Sequence, residues 1–472
     1  MTRLISFFTV LLIALPSCNQ STQDITGKWS GALNVHGTQL RLVLNIEKSE
    51  AGYKSTMDSP DQGAYGIECN ETSFANNVLK IKISSIGASY EGTFRNDSVI
   101  GTFTQMGMKF PLDLGRDESE KAELNRPQEP KPPFPYYTED VRFENKKDGN
   151  TLAGTLTLPS ETGSYPVVVL ISGSGPQNRD EELLGHKPFL VLADYLTRNG
   201  IGVLRYDDRG TAESTGDFNK ATTLDLANDA ESAVSYLLGR KEVDKTKIGL
   251  MGHSEGGIIA PIVAARNENV SFIVLLAGTG VRGDQLLLMQ QRAISMASGL
   301  PETIFLENEK MNISLYEHII NSSDTVNLRA ELTEIMENSF SNSTVLTAQM
   351  TTEQKDGLIK VTVNQLVSPW MYYFIKYDPY PILKKVKCPT LALNGTNDLQ
   401  VPANENLSAI RKAFAESGNN NLTVIELEGL NHLFQESKTG LPTEYGEIEQ
   451  TFSPKALEEI LKWIKETISQ RE

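Results

Sequence analysis

The chain has 472 residues, of which 39% are hydrophobic and 22% are charged, and its formal net charge is −16 at pH 7. This length favours two or three folded units, and the composition is ordinary for a globular protein. No block of Lys or Arg offsets the negative charge, which argues against nucleic acid or an anionic membrane surface as a partner.

The first 18 residues are typical of an export signal. Arg3 precedes an apolar run, residues 4–15, which is too short to cross a bilayer but has the length of a signal-peptide core. The run ends at Leu15-Pro16-Ser17-Cys18, which resembles the cleavage box of bacterial lipoproteins, where the cysteine is lipidated. Pro16 replaces the small residue usual in that box, so ordinary cleavage nearby is the alternative. We expect an exported protein of the periplasm or cell envelope, with a lipid anchor at Cys18.

Residues 25–116 alternate between apolar and polar side chains, most clearly over 40–46 and 78–83. Period-2 alternation broken by Gly, Asn and Asp predicts a small domain of antiparallel strands. Its opening Gly27-Lys28-Trp29 resembles the start of lipocalin-like barrels. A ligand-carrying barrel and a packed accessory domain are therefore both open. We favour the accessory domain because small barrels are filled by their own side chains.

A charged and then proline-rich stretch at 117–136 predicts an extended linker, since such a run cannot join a sheet or a helix. Beyond it, residues 137–472 begin with an antiparallel strand pair and continue with short apolar runs separated by amphipathic helices. The runs lie at 167–171, 202–206, 248–251, 272–276, 390–393 and 422–425. This pattern predicts a mainly parallel sheet covered by helices on both faces. A polar, helix-rich interval at about 281–385 predicts a lid over the carboxyl edge of the sheet.

The central motif is Gly252-His253-Ser254-Glu255-Gly256-Gly257, between a predicted strand and a predicted helix. Gly-x-Ser-x-Gly in that context is the pattern of a nucleophile elbow, in which the serine is exposed on a strained turn. The flanking glycines prevent collisions where strand and helix cross. We predict that Ser254 is a nucleophile.

A serine hydroxyl needs a base to accept its proton. In an elbow enzyme the acid and then the histidine follow the serine along the chain. His432 follows the last apolar strand, whereas His318 falls in the predicted lid, so His432 is the predicted base. Asp398 follows the preceding strand and is the predicted acid, which orients the histidine ring. Asp207 and Asp208 precede Ser254, so we assign them a structural turn role.

Two backbone N–H groups are predicted to bind the oxyanion. The first belongs to Glu255, which follows the nucleophile. The second belongs to the glycine-rich loop after the first buried strand, with Ser174 the first choice and Gly175 the next. No cluster of residues has the spacing of metal ligands, and the glycine-rich loop is not followed by a phosphate-binding lysine. The sequence therefore predicts neither a metal nor a cofactor.

Five motifs in this order resemble the α/β-hydrolase superfamily. They are Ser172-Gly173-Ser174-Gly175-Pro176-Gln177-Asn178-Arg179-Asp180, Asp208-Arg209-Gly210, Gly252-His253-Ser254-Glu255-Gly256-Gly257, Gly395-Thr396-Asn397-Asp398 and Asn431-His432. More closely, they resemble bacterial serine esterases related to the prolyl-oligopeptidase and dienelactone-hydrolase branches. The resemblance covers residues 137–472 and implies an α/β-hydrolase fold and a carboxylic-ester hydrolase acting on a small-molecule ester.

Two other functions are open. One is an exported serine peptidase of prolyl-oligopeptidase type, although no propeller-blade repeat is present. The other is a non-catalytic envelope binding protein, against which the intact Ser254, Asp398 and His432 argue. The sequence does not indicate the acyl or alcohol specificity or the oligomeric state.

Overall fold

The computed structural model describes residues 24–35, 38–49, 52–60, 64–105, 108–116, 125–343 and 350–470. The predicted signal segment with Cys18 and the first part of the predicted linker lie outside these residues. Within the described ranges, no helix combines the length and the apolarity that crossing a bilayer requires.

The amino-terminal region forms an antiparallel sheet with the order β4-β3-β2-β1-β10-β8-β7-β6-β5, and β9 pairs with β8. Its strands are β1 (Gly27–Val35), β2 (Thr38–Ser49), β3 (Gly52–Ser59), β4 (Ala64–Cys69), β5 (Glu71–Ala75), β6 (Val78–Ile83), β7 (Ala88–Arg95), β8 (Ser98–Gln105), β9 (Met108–Pro111) and β10 (Leu114–Arg116). Ser55 of β3 is hydrogen-bonded to Thr72 of β5, so the two ends of the sheet meet. Trp29 is fully buried inside, where Nε1 donates to the carbonyl of Ile25 at 2.8 Å. Large side chains therefore pack the interior.

The second sheet has the order β11-β12-β14-β13-β15-β16-β17-β18. Its strands are β11 (Tyr137–Asn145), β12 (Asn150–Leu158), β13 (Tyr165–Ile171), β14 (Gly202–Tyr206), β15 (Val243–His253), β16 (Phe272–Leu276), β17 (Thr390–Gly395) and β18 (Leu422–Leu427). The pairs β11–β12 and β12–β14 are antiparallel, and the remaining pairs are parallel. The carboxyl ends of β13 to β18 therefore meet at one edge.

Helices cover both faces of this sheet. They are α1 (Pro188–Arg198), α2 (Thr223–Leu238), α3 (Gly256–Ala264), α10 (Ala403–Ser417) and α11 (Pro454–Ser469). Val167 and Val169 of β13 pack in the core with α2, α3 and α10, whereas Val168 and Leu170 pack in the core with α1 and α11. Successive side chains of a strand point to opposite faces, so a strand buried on both sides is apolar throughout. The predicted α/β-hydrolase fold, preceded by an antiparallel β-domain, is confirmed.

A helical insertion lies between β16 and β17. It contains α4 (Gly283–Ala297), α5 (Glu302–Asn321), α6 (Leu328–Asn342), α7 (Thr352–Leu366), α8 (Pro369–Lys376) and α9 (Tyr380–Leu383). Its helices share a core that includes Leu315, Leu332, Met336 and Val363. Because it follows β16, the insertion leaves the sheet at the carboxyl edge.

The last part of the predicted linker lies against the second domain. Besides the adjacent Asn125 carbonyl, the guanidinium of Arg126 donates hydrogen bonds to four backbone carbonyls of the second domain, those of Leu184, Gly185, Gly446 and Ile448. One side chain thus joins two loops that are far apart in the sequence.

Candidate active site

Ser254 lies in a sharp turn between β15 and α3. Its φ is +53°, in the left-handed region, where a residue with a side chain is strained. A Cβ atom on Gly252 would overlap the carbonyl of Gly256, and one on Gly256 would overlap that of Ile171. The Gly-x-Ser-x-Gly spacing is therefore a steric requirement of this turn. The turn presents Ser254 at the carboxyl edge of the sheet.

His432 and Asp398 meet at the same edge. Nδ1 of His432 is 2.8 Å from Oδ2 of Asp398, and both side chains are buried. Oδ1 of Asp398 accepts hydrogen bonds from the N–H groups of Gln400 and Val401, each at 2.8 Å. These bonds fix the carboxylate, and through it the ring, so that Nε2 is the nitrogen left for chemistry. Ser254 and His432 line one cavity of about 350 Å³.

The loop after β13 is held beside the elbow by Asp208. Its carboxyl oxygens accept hydrogen bonds from the Ser172 hydroxyl and the Gln177 N–H group, each at 2.9 Å, on either side of Ser174. Burial raises the pKa of Asp208 well above its usual range, although both hydrogen bonds oppose this. Among the described residues, the N–H groups of Ser174 and Glu255 make no hydrogen bond. Both are therefore available to an oxyanion.

A buried pair that the sequence reasoning missed lies behind the nucleophile. Oε1 of Glu181 accepts hydrogen bonds from the Gly173 N–H group at 2.7 Å and from Nδ1 of His253 at 2.9 Å. Nε2 of His253 is 2.9 Å from the carbonyl oxygen of His432. Burial lowers the pKa of His253, but Glu181, the His432 carbonyl and Asp398 outweigh it and raise that pKa above 6.5. Both ring nitrogens face acceptors, an arrangement that favours the charged ring, and His253 links three parts of the site.

Glu255 connects the elbow to the lid. Its side chain is 2% exposed, and Oε1 accepts hydrogen bonds from the Thr223 hydroxyl at 2.6 Å and from Nε1 of Trp370 at 2.8 Å. Trp370 belongs to α8, so this helix both anchors the lid to the elbow and lines the cavity. Further apolar lining comes from α3, α4 and α8, through Ile258, Leu286, Leu287, Met371 and Phe374. Among the described residues that line this cavity there is neither Lys nor Arg.

Among the described residues, no group of three or more His, Cys, Asp or Glu side chains could hold a metal ion. The groups that the structure brings together at this edge of the sheet are Ser254, His432 and Asp398, with the N–H groups of Ser174 and Glu255 beside them.

Comparison with known proteins identifies the family to which the chain belongs. Residues 148–424, more than half of the chain, match the family model described as X-Pro dipeptidyl-peptidase (S15 family). The chain belongs to this S15 family. The resemblance to the α/β-hydrolase superfamily predicted from the sequence is confirmed, and this S15 protein is a hydrolase.

Two curated relatives and one solved structure are similar to the S15 protein. Esterase EstD of Thermotoga maritima is 27% identical over 342 residues, which cover 70% of each chain. The uncharacterized protein YfhR of Escherichia coli O157:H7 is 30% identical over 147 residues, which cover 30% of this chain and 48% of YfhR. The α/β hydrolase GrgF from Penicillium sp. sh18 is 17% identical with a TM-score of 0.42, over 71% of this chain and 99% of GrgF.

Proposed function

We propose that this protein is a serine esterase that hydrolyses carboxylic esters through an acyl-enzyme on Ser254. The observation that carries the proposal is the buried hydrogen bond between Asp398 and His432, which share the edge of the sheet with the serine elbow. The chain order serine, acid, histidine is that of elbow hydrolases. The similarity to esterase EstD supports an ester as the substrate.

In the proposed reaction, Nε2 of His432 accepts the proton of the Ser254 hydroxyl while the serine oxygen attacks the ester carbonyl. The negative charge that develops on the carbonyl oxygen is stabilised by the N–H groups of Glu255 and Ser174. The tetrahedral intermediate collapses, and His432 returns the proton to the departing alcohol. Water then attacks the acyl-enzyme in the same way, which releases the carboxylic acid and restores the serine. Asp398 holds the ring and stabilises its charged form throughout.

The test is hydrolysis of nitrophenyl acetate by the chain and by its Ser254→Ala variant. We expect kcat to fall by at least about 10⁴-fold, because the covalent step needs the hydroxyl. An unchanged circular dichroism spectrum and melting temperature would control for folding. Substantial activity in the variant would contradict the proposal. Labelling by a fluorophosphonate probe, also dependent on Ser254, distinguishes an esterase with a narrow cavity from a non-catalytic binding protein.

A serine peptidase is the second candidate, because the matching family model is described by a peptidase activity. The same side chains would cleave an amide, since acyl transfer to serine is common to both reactions. Comparing alanyl-proline nitroanilide with nitrophenyl acetate separates the candidates. A kcat/KM that is higher for the anilide would favour the peptidase.

We also propose that the enzyme is exported and anchored to the cell envelope through a lipid on Cys18. Three features of the signal segment support this proposal: the positive charge of Arg3, the short apolar run at residues 4–15, and the lipoprotein-like box Leu15-Pro16-Ser17-Cys18. Such an anchor would hold the catalytic domain near a membrane without a transmembrane helix.

A further inference from the structure

We propose that the carboxyl group of Glu255 forms a subsite for a hydrogen-bond donor, an ammonium or a hydroxyl group, on the acyl portion of the substrate. This inference rests on the esterase function proposed above and specifies its substrate class. Glu255 follows Ser254 directly and lines the same cavity. Its role would be to select among esters, beyond the contribution of its N–H group to the oxyanion site.

The two oxygens of this carboxyl group differ in their surroundings. Oε1 is held by the Thr223 hydroxyl and the Trp370 indole. Oε2 is buried and has no hydrogen-bond partner among the described residues, although the Ser174 hydroxyl is close enough to lower the pKa of the carboxyl group, which burial raises. A buried carboxyl oxygen without a partner is costly, and a ligand that donates a hydrogen bond removes that cost. The two partners of Oε1 fix the carboxyl plane, so the direction of Oε2 is set before a ligand arrives.

The charges around the cavity favour a donor over an anion. Two carboxyl groups, those of Glu181 and Glu255, belong to residues lining the cavity, and neither Lys nor Arg does. Oε1 of Glu181 is already bound by the Gly173 N–H group and by His253. Glu255 therefore carries the unused acceptor oxygen, and an acyl group with its own carboxylate would face this carboxyl group with neither Lys nor Arg among the described lining residues to offset it.

The position of Glu255 assigns the donor to the acyl portion. His432 must protonate the leaving group, so the alcohol lies on the histidine side of Ser254. The N–H groups of Ser174 and Glu255 flank the carbonyl oxygen, and the Glu255 carboxyl group faces the Ser174 hydroxyl. A group that reaches Glu255 is therefore a substituent next to the carbonyl carbon.

The test uses three esters of nearly equal size that differ in one group: L-alanine methyl ester, methyl L-lactate and methyl isobutyrate. These place an ammonium, a hydroxyl and a methyl group at the same carbon. Hydrolysis is followed by pH-stat titration at about pH 6.5, where an α-amino group is protonated. For each ester, kcat/KM of the native chain is divided by that of Glu255→Gln. Differences in intrinsic reactivity and any common effect of the substitution cancel when these ratios are compared.

We expect the ratio for the alanine ester to exceed that for the isobutyrate ester by about tenfold to a hundredfold, with the lactate ester in between. Glu182→Gln is the matched control, because it removes one negative charge from an adjacent, partly exposed side chain and leaves Glu255 with both of its partners, so its three ratios should be equal. Equal ratios for Glu255→Gln would overturn the subsite and leave the esterase function intact, provided that hydrolysis depends on Ser254. Absence of hydrolysis of all three esters by the native chain would overturn the subsite and the esterase function together.

Discussion

Replacing Glu181 by Gln tests whether His253 is a buried imidazolium. In the native chain its two nitrogens face the Glu181 carboxylate and the His432 carbonyl. Gln keeps an acceptor oxygen and the shape of the side chain but removes the charge. Burial should then dominate and lower the pKa of His253, so that the ring is neutral at pH 7. If the Gln oxygen takes the place of Oε1, it still accepts from the Gly173 N–H group and from Nδ1 of the neutral ring, but Nε2 then faces the His432 carbonyl without a proton.

The size of the effect follows from the burial and the direction of the pKa shift. Glu181 is 5% exposed and His253 is 7% exposed, so solvent screens the pair little. Hydrogen bonds to a charged group are worth about 1 kcal/mol more than neutral ones, which gives about 2 kcal/mol for the two bonds of Glu181 at pH 6. The pKa of His253 is raised in the folded chain, so its contribution is complete below about pH 6.5, the unfolded value. Above that pH it declines by about 1.4 kcal/mol per pH unit until the folded pKa is passed.

The assay is urea unfolding followed by far-ultraviolet circular dichroism at pH 6, 7, 8 and 9. The difference in unfolding free energy between the native chain and Glu181→Gln should be largest at pH 6 and shrink as the pH rises. Glu182→Gln is the matched control, because Glu182 is adjacent and partly exposed, and it should change stability by less than about 0.5 kcal/mol. A Glu181→Gln difference that stays constant over this pH range would refute the charged state of His253.

Two further predictions concern the acid and the anchor. Asp398→Asn should lower kcat on nitrophenyl acetate by about 10⁴-fold with little change in fold, because the amide favours the wrong tautomer of His432; a loss of less than tenfold would argue against the triad. Cys18→Ala should abolish metabolic labelling with palmitate and move the enzyme from the membrane fraction to the soluble exported fraction, with kcat unchanged. Labelling retained by that variant would contradict the lipid anchor.

Much of the fold could be predicted from the sequence because the spacing of apolar residues reflects which faces of a strand or helix are buried. Residues 167–171 are apolar without a break because β13 is covered on both faces, and residues 78–83 alternate because β6 has one buried face. The elbow was recognisable because steric limits at Gly252 and Gly256 leave a fixed spacing. The order of Asp398 and His432 after Ser254 then followed from the order of the strands.

The supporting contacts of the site were beyond sequence reasoning. Glu181 and His253 are 72 residues apart, and no period or motif links them. The contact of Trp370 with Glu255 spans 115 residues and depends on how the lid packs. The sequence assigned Asp208 a structural turn role, but its hydrogen bonds to the loop around Ser174 depend on the pairing of β13 with β14, which no motif reveals. The sequence did contain one usable signal for these contacts. Acidic residues stand at positions 181 and 255, in segments that the predicted topology places at the carboxyl edge of the sheet.

Arg126 has a mechanical consequence. A force that pulls on the catalytic domain through the linker would act first on the hydrogen bonds of this guanidinium and only then on β11, which begins at Tyr137. The force is divided between two loops, one around residue 185 and one around residue 447. Leu183, next to the first of these loops, lines the cavity. A catalytic fragment that begins at Tyr137 would lack Arg126, so four carbonyls would lose their shared donor and the side of the cavity next to Leu183 would be less firmly held. A fragment that begins before Arg126 would keep these hydrogen bonds. We therefore expect that a stable catalytic fragment must begin before Arg126, ahead of the first strand of its sheet.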